Sequence, residues 1–122
     1  MALGLISVVD DDPLVRQTLP DVLRELGFAA EAFPSALEFL ASGRVAETRC
    51  LLLDVVMPGM SGYALQHELQ RLGQRIPIIY ITGQTDRAVR PRLSEQGAVA
   101  CLFKPFCATA LSDALAAALR DS

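Results

Sequence analysis

The stretch Leu5-Ile6-Ser7-Val8-Val9-Asp10-Asp11-Asp12 is a short run, apolar but for Ser7, that stops on three consecutive acids. A second run, Cys50-Leu51-Leu52-Leu53, stops on a fourth acid, Asp54. Runs this short and this apolar, bounded by loop residues, read as fully buried parallel strands. If the two strands are neighbours, three or four carboxylates converge at their carboxyl ends. Two such charges ~4 Å apart repel by roughly 4 kcal/mol at an effective dielectric near 20. The cluster therefore requires a divalent cation, a proton or a cationic side chain. Lys104, the only lysine among 122 residues, follows the apolar stretch Ala98 to Phe103 and precedes Pro105.

Outward from these runs, strand-like and helix-like segments alternate, the pattern of βα units around a parallel sheet. Val15, Leu19, Val22, Leu23 and Leu26 form an apolar stripe on one face of a first helix that Gly27 terminates. Pro20 lies off that stripe, so its missing backbone hydrogen bond is expected on the solvent side, kinking the helix around the core. A second strand is expected at about Ala29 to Phe33, after which Ser35 and Glu38 form a capping box for a helix through Leu40, ended by Ser42-Gly43. The strand ending at Asp54 leads through Met57-Pro58-Gly59 into a helix near Gly62 to Leu72, with Ala64, Leu65, Leu69 and Leu72 facing inward. Pro77 introduces a fourth strand, Ile78 to Thr82. A short helix near residues 90–96, a fifth strand near Val99 to Phe103 and a last helix at about Thr109 to Leu119 complete five βα units of an α/β fold.

A chain of 122 residues suits one domain that buries most of its apolar surface without disulfides or structural zinc. A net charge of −3 without a basic stripe argues against direct contact with nucleic acid. Three cysteines, Cys50, Cys101 and Cys107, form no CxxC pair and leave one odd, which with no signal peptide leads to the expectation of a reduced, cytoplasmic protein. No apolar run approaches the ~20 residues of a membrane span. His67, the only histidine, lies off the apolar stripe of the third helix and reads as a solvated surface residue. Arg87, Arg90 and Arg92 read as a solvated face around the fourth helix, with a partner-docking patch as the alternative, and Cys50 and Cys101 as core residues.

In an open parallel sheet, ligands bind beyond the carboxyl ends of the strands, where the winding direction reverses. Asp10, Asp11, Asp54, Thr82 and Lys104 all fall at such ends. The set suits phosphoryl chemistry: carboxylates hold Mg2+ through oxygen, while a hydroxyl and an ammonium neutralise phosphate oxygens. Taken singly, each Asp and Thr82 also reads as a helix cap or turn former.

With VVDDDPLVR, LLLDVVMPGMSGYAL, IIYITGQTD and GAVACLFKPF in that order, the chain resembles the receiver domain of two-component response regulators, particularly receivers of the FixJ type, over essentially its whole length. The resemblance implies a flavodoxin-like (βα)5 fold, a doubly wound five-stranded parallel sheet in strand order 2-1-3-4-5, as one receiver domain over residues 1–122. It makes Asp54 the phosphoryl acceptor and makes Asp11, Asp54 and the backbone carbonyl of Val56 the Mg2+ ligands, with Asp10 acting through a bound water. Thr82 meets the incoming phosphoryl group with its hydroxyl, and Lys104 pairs with its oxygens. Asp12 is the surplus acid, near the mouth of the site or capping the first helix. The implied activity is a signalling switch that catalyses its own phosphorylation and autodephosphorylation, without being a conventional enzyme. The implied partners are a sensor histidine kinase and, through the fourth helix, fifth strand and last helix, a DNA-binding output domain, a partner protein or a second copy joined on phosphorylation, with neither nucleic acid nor membrane contacted directly.

Three positions depart from the family pattern, all on the output side. Cys101 stands where an aromatic residue usually turns inward on activation, Cys107 stands where an Asp commonly caps the last helix, and Pro91 interrupts the segment expected to form the fourth helix. Two other readings remain open. A pseudo-receiver that binds partners without phosphorylation is opposed by the intact set of Asp10, Asp11, Asp54, Thr82 and Lys104. A haloacid-dehalogenase-type phosphohydrolase is favoured by Asp10-x-Asp12 with Thr82 and Lys104, and opposed by Leu14 and by the lack of room for a cap domain.

Overall fold

Five strands, β1 (Leu5–Val9), β2 (Ala29–Phe33), β3 (Thr48–Asp54), β4 (Ile78–Gly83) and β5 (Ala100–Lys104), form one sheet in the order β2-β1-β3-β4-β5. Every neighbouring pair is parallel. The computed structural model describes residues 4–55, 57, 59–83, 100–104 and 107–120, with the backbone alone for residues 82, 83, 100, 101, 103 and 104. Between the strands run α1 (Pro13–Glu25), α2 (Ala36–Ala41), a single 3-10 turn (Val45–Glu47) and α3 (Gly62–Arg71), and a C-terminal helix (Ala108–Arg120) follows β5. The expected short helix near residues 90–96, with Pro91 and the three arginines around it, lies outside the described residues.

The continuous apolar character of β3 has a direct cause, since the strand is covered on both faces. Leu51 and Leu53 pack with Phe33, Ala36, Phe39, Leu65 and Leu69 on the side of α2 and α3. Cys50 and Leu52 pack with Leu19, Leu23, Leu111, Leu115 and Ala118 on the side of α1 and the C-terminal helix. Period-two alternation thus feeds two separate cores, the doubly wound arrangement expected from the resemblance. Phe39 is fully buried against Phe33 with ring centroids 5.4 Å apart, and a side chain so buried contributes about 2–3 kcal/mol.

Helix ends follow local chemistry. The side chains of Asp12, Ser35 and Ser61 accept from the backbone N–H of Leu14, Glu38 and Ala64 and start α1, α2 and α3. Gly27, at φ 100°, closes α1 where a side chain would be strained. At the C-terminal helix the thiol of Cys107 does cap, accepting from the Ala110 N–H at 3.4 Å.

Several expectations are corrected. Pro20 is buried beside Leu19 and Leu23 instead of facing solvent. The helix beds on that edge, where a proline ring is apolar filling, and Val15 and Val22 are only partly buried. In α3, Ala64 and Leu72 are exposed, while Gly62 and Gln66 are buried with Leu65 and Leu69. Leu72 is the C-cap and has left the helical face. β3 begins two residues early, at Thr48, because the 3-10 turn delivers Thr48 into the sheet. The Thr48 hydroxyl donates to the Arg44 carbonyl at 2.8 Å, so the buried Ser7 hydroxyl 2.7 Å away donates to Thr48. This pair explains the one polar residue in the opening run.

Two outcomes follow. Thr48→Val leaves the Ser7 hydroxyl buried without its acceptor and should cost about 1–3 kcal/mol in urea unfolding. Cys50 is fully buried and desolvation pushes its thiol up to about 12, so at pH 8 a thiol-alkylating reagent should label exposed Cys107 and reach Cys50 only on unfolding.

Candidate functional site

β1 lies between β2 and β3, so the chain reverses its winding between β1 and β3, the position where a doubly wound sheet opens a crevice. Val9 pairs with Leu53, so the residues that come next, Asp10 just past β1 and Asp54 the last of β3, stand side by side. One carboxylate oxygen from each of Asp10, Asp11 and Asp54 lies within 4.8 Å of the others. Asp10 and Asp54 are buried and Asp11 is exposed, so the cluster opens to solvent on the Asp11 side.

The backbone around these acids is tied down from three directions. The Asp10 carboxylate accepts from the Asp12 N–H at 2.9 Å, and Asp12 in turn caps Leu14 at 3.0 Å. Arg16, one turn into α1, donates from Nη1 to the Asp10 carbonyl at 3.0 Å, and the Asp10 N–H donates to the Phe33 carbonyl at 3.2 Å. The surplus acid, Asp12, is thus the cap of α1. Across the crevice, the Gly62 N–H donates to the Val55 carbonyl at 3.0 Å. A Cβ on Gly62 would stand 2.4 Å from the Asp54 carbonyl oxygen and 3.1 Å from the Val55 Cα. Only glycine lets α3 begin against the strand end that carries Asp54.

Thr82 and Lys104 sit in the last two residues of β4 and the last of β5, with Asp54 opposite Ile81, Thr82 opposite Phe103 and Gly83 opposite Lys104. All the strand-borne candidates therefore lie at the same edge of the sheet. The Thr82 hydroxyl, the Lys104 ammonium and the Val56 carbonyl fall outside the described atoms. Cys101 is paired in register with Tyr80, and its side chain is likewise outside them. His67 is exposed, as its position on α3 predicts. Arg16 and Gly62 are the site residues that residue-level reading passed over. Their signals were an arginine four places after the Asp12 cap and a glycine directly after the Ser61 cap.

Three carboxylates converging by oxygen are the donor set of a hard divalent cation such as Mg2+, which keeps several waters and takes one or two carboxylates. Asp10, Asp11 and Asp54 fit that requirement. The family model described as response regulator receiver domain matches residues 6–116. This chain belongs to the response regulator receiver family. Nodulation protein W of Bradyrhizobium diazoefficiens is 45% identical over 115 residues, which are 94% of this chain and 51% of that protein. Response regulator protein TodT of Pseudomonas putida is 40% identical over 117 residues, 96% of this chain and 52% of that one. The receiver chain spans about half the length of the curated relatives it matches. The crystal structure of FixJ-N superposes with a TM-score of 0.88 at 35% identity, covering 100% of this chain and 98% of that one.

Receivers of this family carry phosphoaspartate and bind Mg2+ at an acidic pocket, and this chain gathers Asp10, Asp11 and Asp54 into an acid cluster. Among the described residues, no helix is long and apolar enough to cross a membrane.

Substituting Gly62 tests the close approach of α3. Gly62→Ala should lower stability by about 1–3 kcal/mol in urea, as overpacking does, because backbone rather than a movable side chain blocks the new methyl.

Proposed function

We propose that residues 1–122 act as one phosphoacceptor domain in which Asp54 receives a phosphoryl group from a phosphohistidine of a sensor kinase or from a small acyl phosphate. The observation that carries this reading is the convergence of the Asp10, Asp11 and Asp54 oxygens within 4.8 Å at the switch point of the sheet. A carboxylate oxygen of Asp54 attacks phosphorus. The new P–O bond forms as the P–N bond to the imidazole, or the P–O bond to the acyl group, breaks and its electron pair leaves with that group. Asp10, Asp11, Asp54 and the Val56 carbonyl would hold Mg2+, which would supply positive charge against the phosphoryl oxygens. Lys104 adds a second positive charge, and the Thr82 hydroxyl donates to the transferred group.

The product is an acyl phosphate, and its added negative charge biases the elements beside Thr82 and Lys104 toward a second arrangement that a partner reads. That partner is an output domain or a second copy of the chain. Water later attacks phosphorus, the P–O bond to Asp54 breaks, and inorganic phosphate leaves with the carboxylate restored. The whole cycle runs on the domain itself, in the cytoplasm.

Incubation with acetyl phosphate and Mg2+, read by intact-protein mass, is expected to add one phosphoryl group to wild type and to Asp12→Asn, which keeps an α1 cap. Asp54→Asn should take up none. Label on Asp10 would favour the phosphohydrolase reading, and no label on any folded form would favour the pseudo-receiver.

A further inference from the structure

Tyr80 is the largest fully buried side chain of the described residues, and it lies on β4 two residues before Thr82, facing α3. Its ring runs beneath the first turn of that helix. The place a Cβ would take on Gly62 is 3.1 Å from the ring, and the Tyr63 ring lies 5.7 Å away, tilted by 50°. The Tyr80 hydroxyl donates to Oε1 of Gln66, itself buried, and lies 3.4 Å from the Gly62 carbonyl oxygen. Gly62 then donates its N–H to the carbonyl of Val55, the residue after Asp54. A polar path therefore leads from the middle of β4 through the first turn of α3 to the strand end that carries Asp54.

Burial makes this path directional. A phenol or an amide taken out of water must find a partner, and here each meets the other. Desolvation raises the Tyr80 phenol far above its usual range, with Tyr63 adding to the effect, so it remains a donor at any physiological pH. A helix that slid or turned on the sheet would separate Tyr80 from Gln66 and break a buried hydrogen bond. Apolar neighbours alone would tolerate such a shift.

We propose that Tyr80 and Gln66 are positioning residues for Asp54, locking the first turn of α3 to β4 so that the β3 end, pinned by Gly62, presents its carboxylate in one place. The inference rests on Asp54 being the phosphoacceptor. In-line transfer is sensitive to placement on the scale of about 1 Å, and a one-residue slip of α3 would move its first turn by about 1.5 Å.

The experiment compares wild type, Tyr80→Phe, Gln66→Met and the double variant, using acetyl phosphate with saturating Mg2+. Two quantities are read, the maximal phosphorylation rate and the acetyl phosphate concentration at half that rate, alongside urea stability. Each single variant is expected to lose about tenfold in maximal rate with the half-saturating concentration unchanged, the signature of misplacement rather than lost binding. The double variant, in which neither half of the Tyr80–Gln66 hydrogen bond remains, should recover part of the lost stability but stay slow. A rate that recovers with stability, or a folded Tyr80→Phe at the wild-type rate, overturns the proposal.

Hydrogen exchange separates this inference from the reading beneath it. In Tyr80→Phe the Gly62 amide should exchange about tenfold faster, while the Asp10 amide, bonded to Phe33 across the sheet, keeps its wild-type rate. Unchanged Gly62 exchange overturns the inference whatever the chemistry. Wild type that takes up no phosphoryl group overturns the phosphoacceptor reading instead.

Discussion

Like charges brought together at a buried edge dominate this molecule. Asp10 and Asp54 are both shielded from water and lie within reach of Asp11, an arrangement whose repulsion the fold must offset. Part of the compensation is local. The first turn of α1 gives the Asp12 N–H to Asp10 and the Leu14 N–H to Asp12, and Arg16 reaches the Asp10 carbonyl. Such contacts hold the backbone but do not neutralise three carboxylates. Three carboxylate oxygens gathered within 4.8 Å form a donor set that suits a hard divalent cation.

The two faces of the sheet serve this edge differently. On the side of α1 and the C-terminal helix the core is aliphatic, built on Leu19, Leu23, Leu52, Ile79, Ile81, Leu111 and Leu115. On the other side it contains the aromatic residues Phe33, Phe39 and Tyr80 and the buried amide of Gln66. Apolar packing sets how close two layers lie but defines their lateral placement weakly. The hydrogen bond between Tyr80 and Gln66 and the missing Cβ of Gly62 supply that placement where α3 meets the strand end bearing Asp54.

Reading the residues in order went furthest where a single segment contains its own explanation. The runs Leu5 to Val9 and Cys50 to Leu53 declared buried strands, and Ser35 announced its cap, because strand burial and capping are properties of a few consecutive residues. Helix faces were less legible. Leu72 looked like a core residue by spacing but is half exposed, because the helix ends before it. Pro20 lies off the apolar stripe, which points it toward solvent, yet it is buried in α1 beside Leu19.

Sequence alone determined the strands, the caps and the acids that end β1 and β3, since each depends on neighbours in the chain and on elementary preferences of residue type. Tertiary structure decided what those pieces do to one another. That Asp10 and Asp54 emerge side by side depends on β1 pairing with β3 in one register. That Gly62 must be glycine depends on the Asp54 carbonyl, which only the docking of α3 brings within 2.4 Å of its missing Cβ. Gln66 on α3 faces the core where Tyr80 on β4 meets it, and no local pattern can announce a hydrogen bond whose two halves are 14 residues apart.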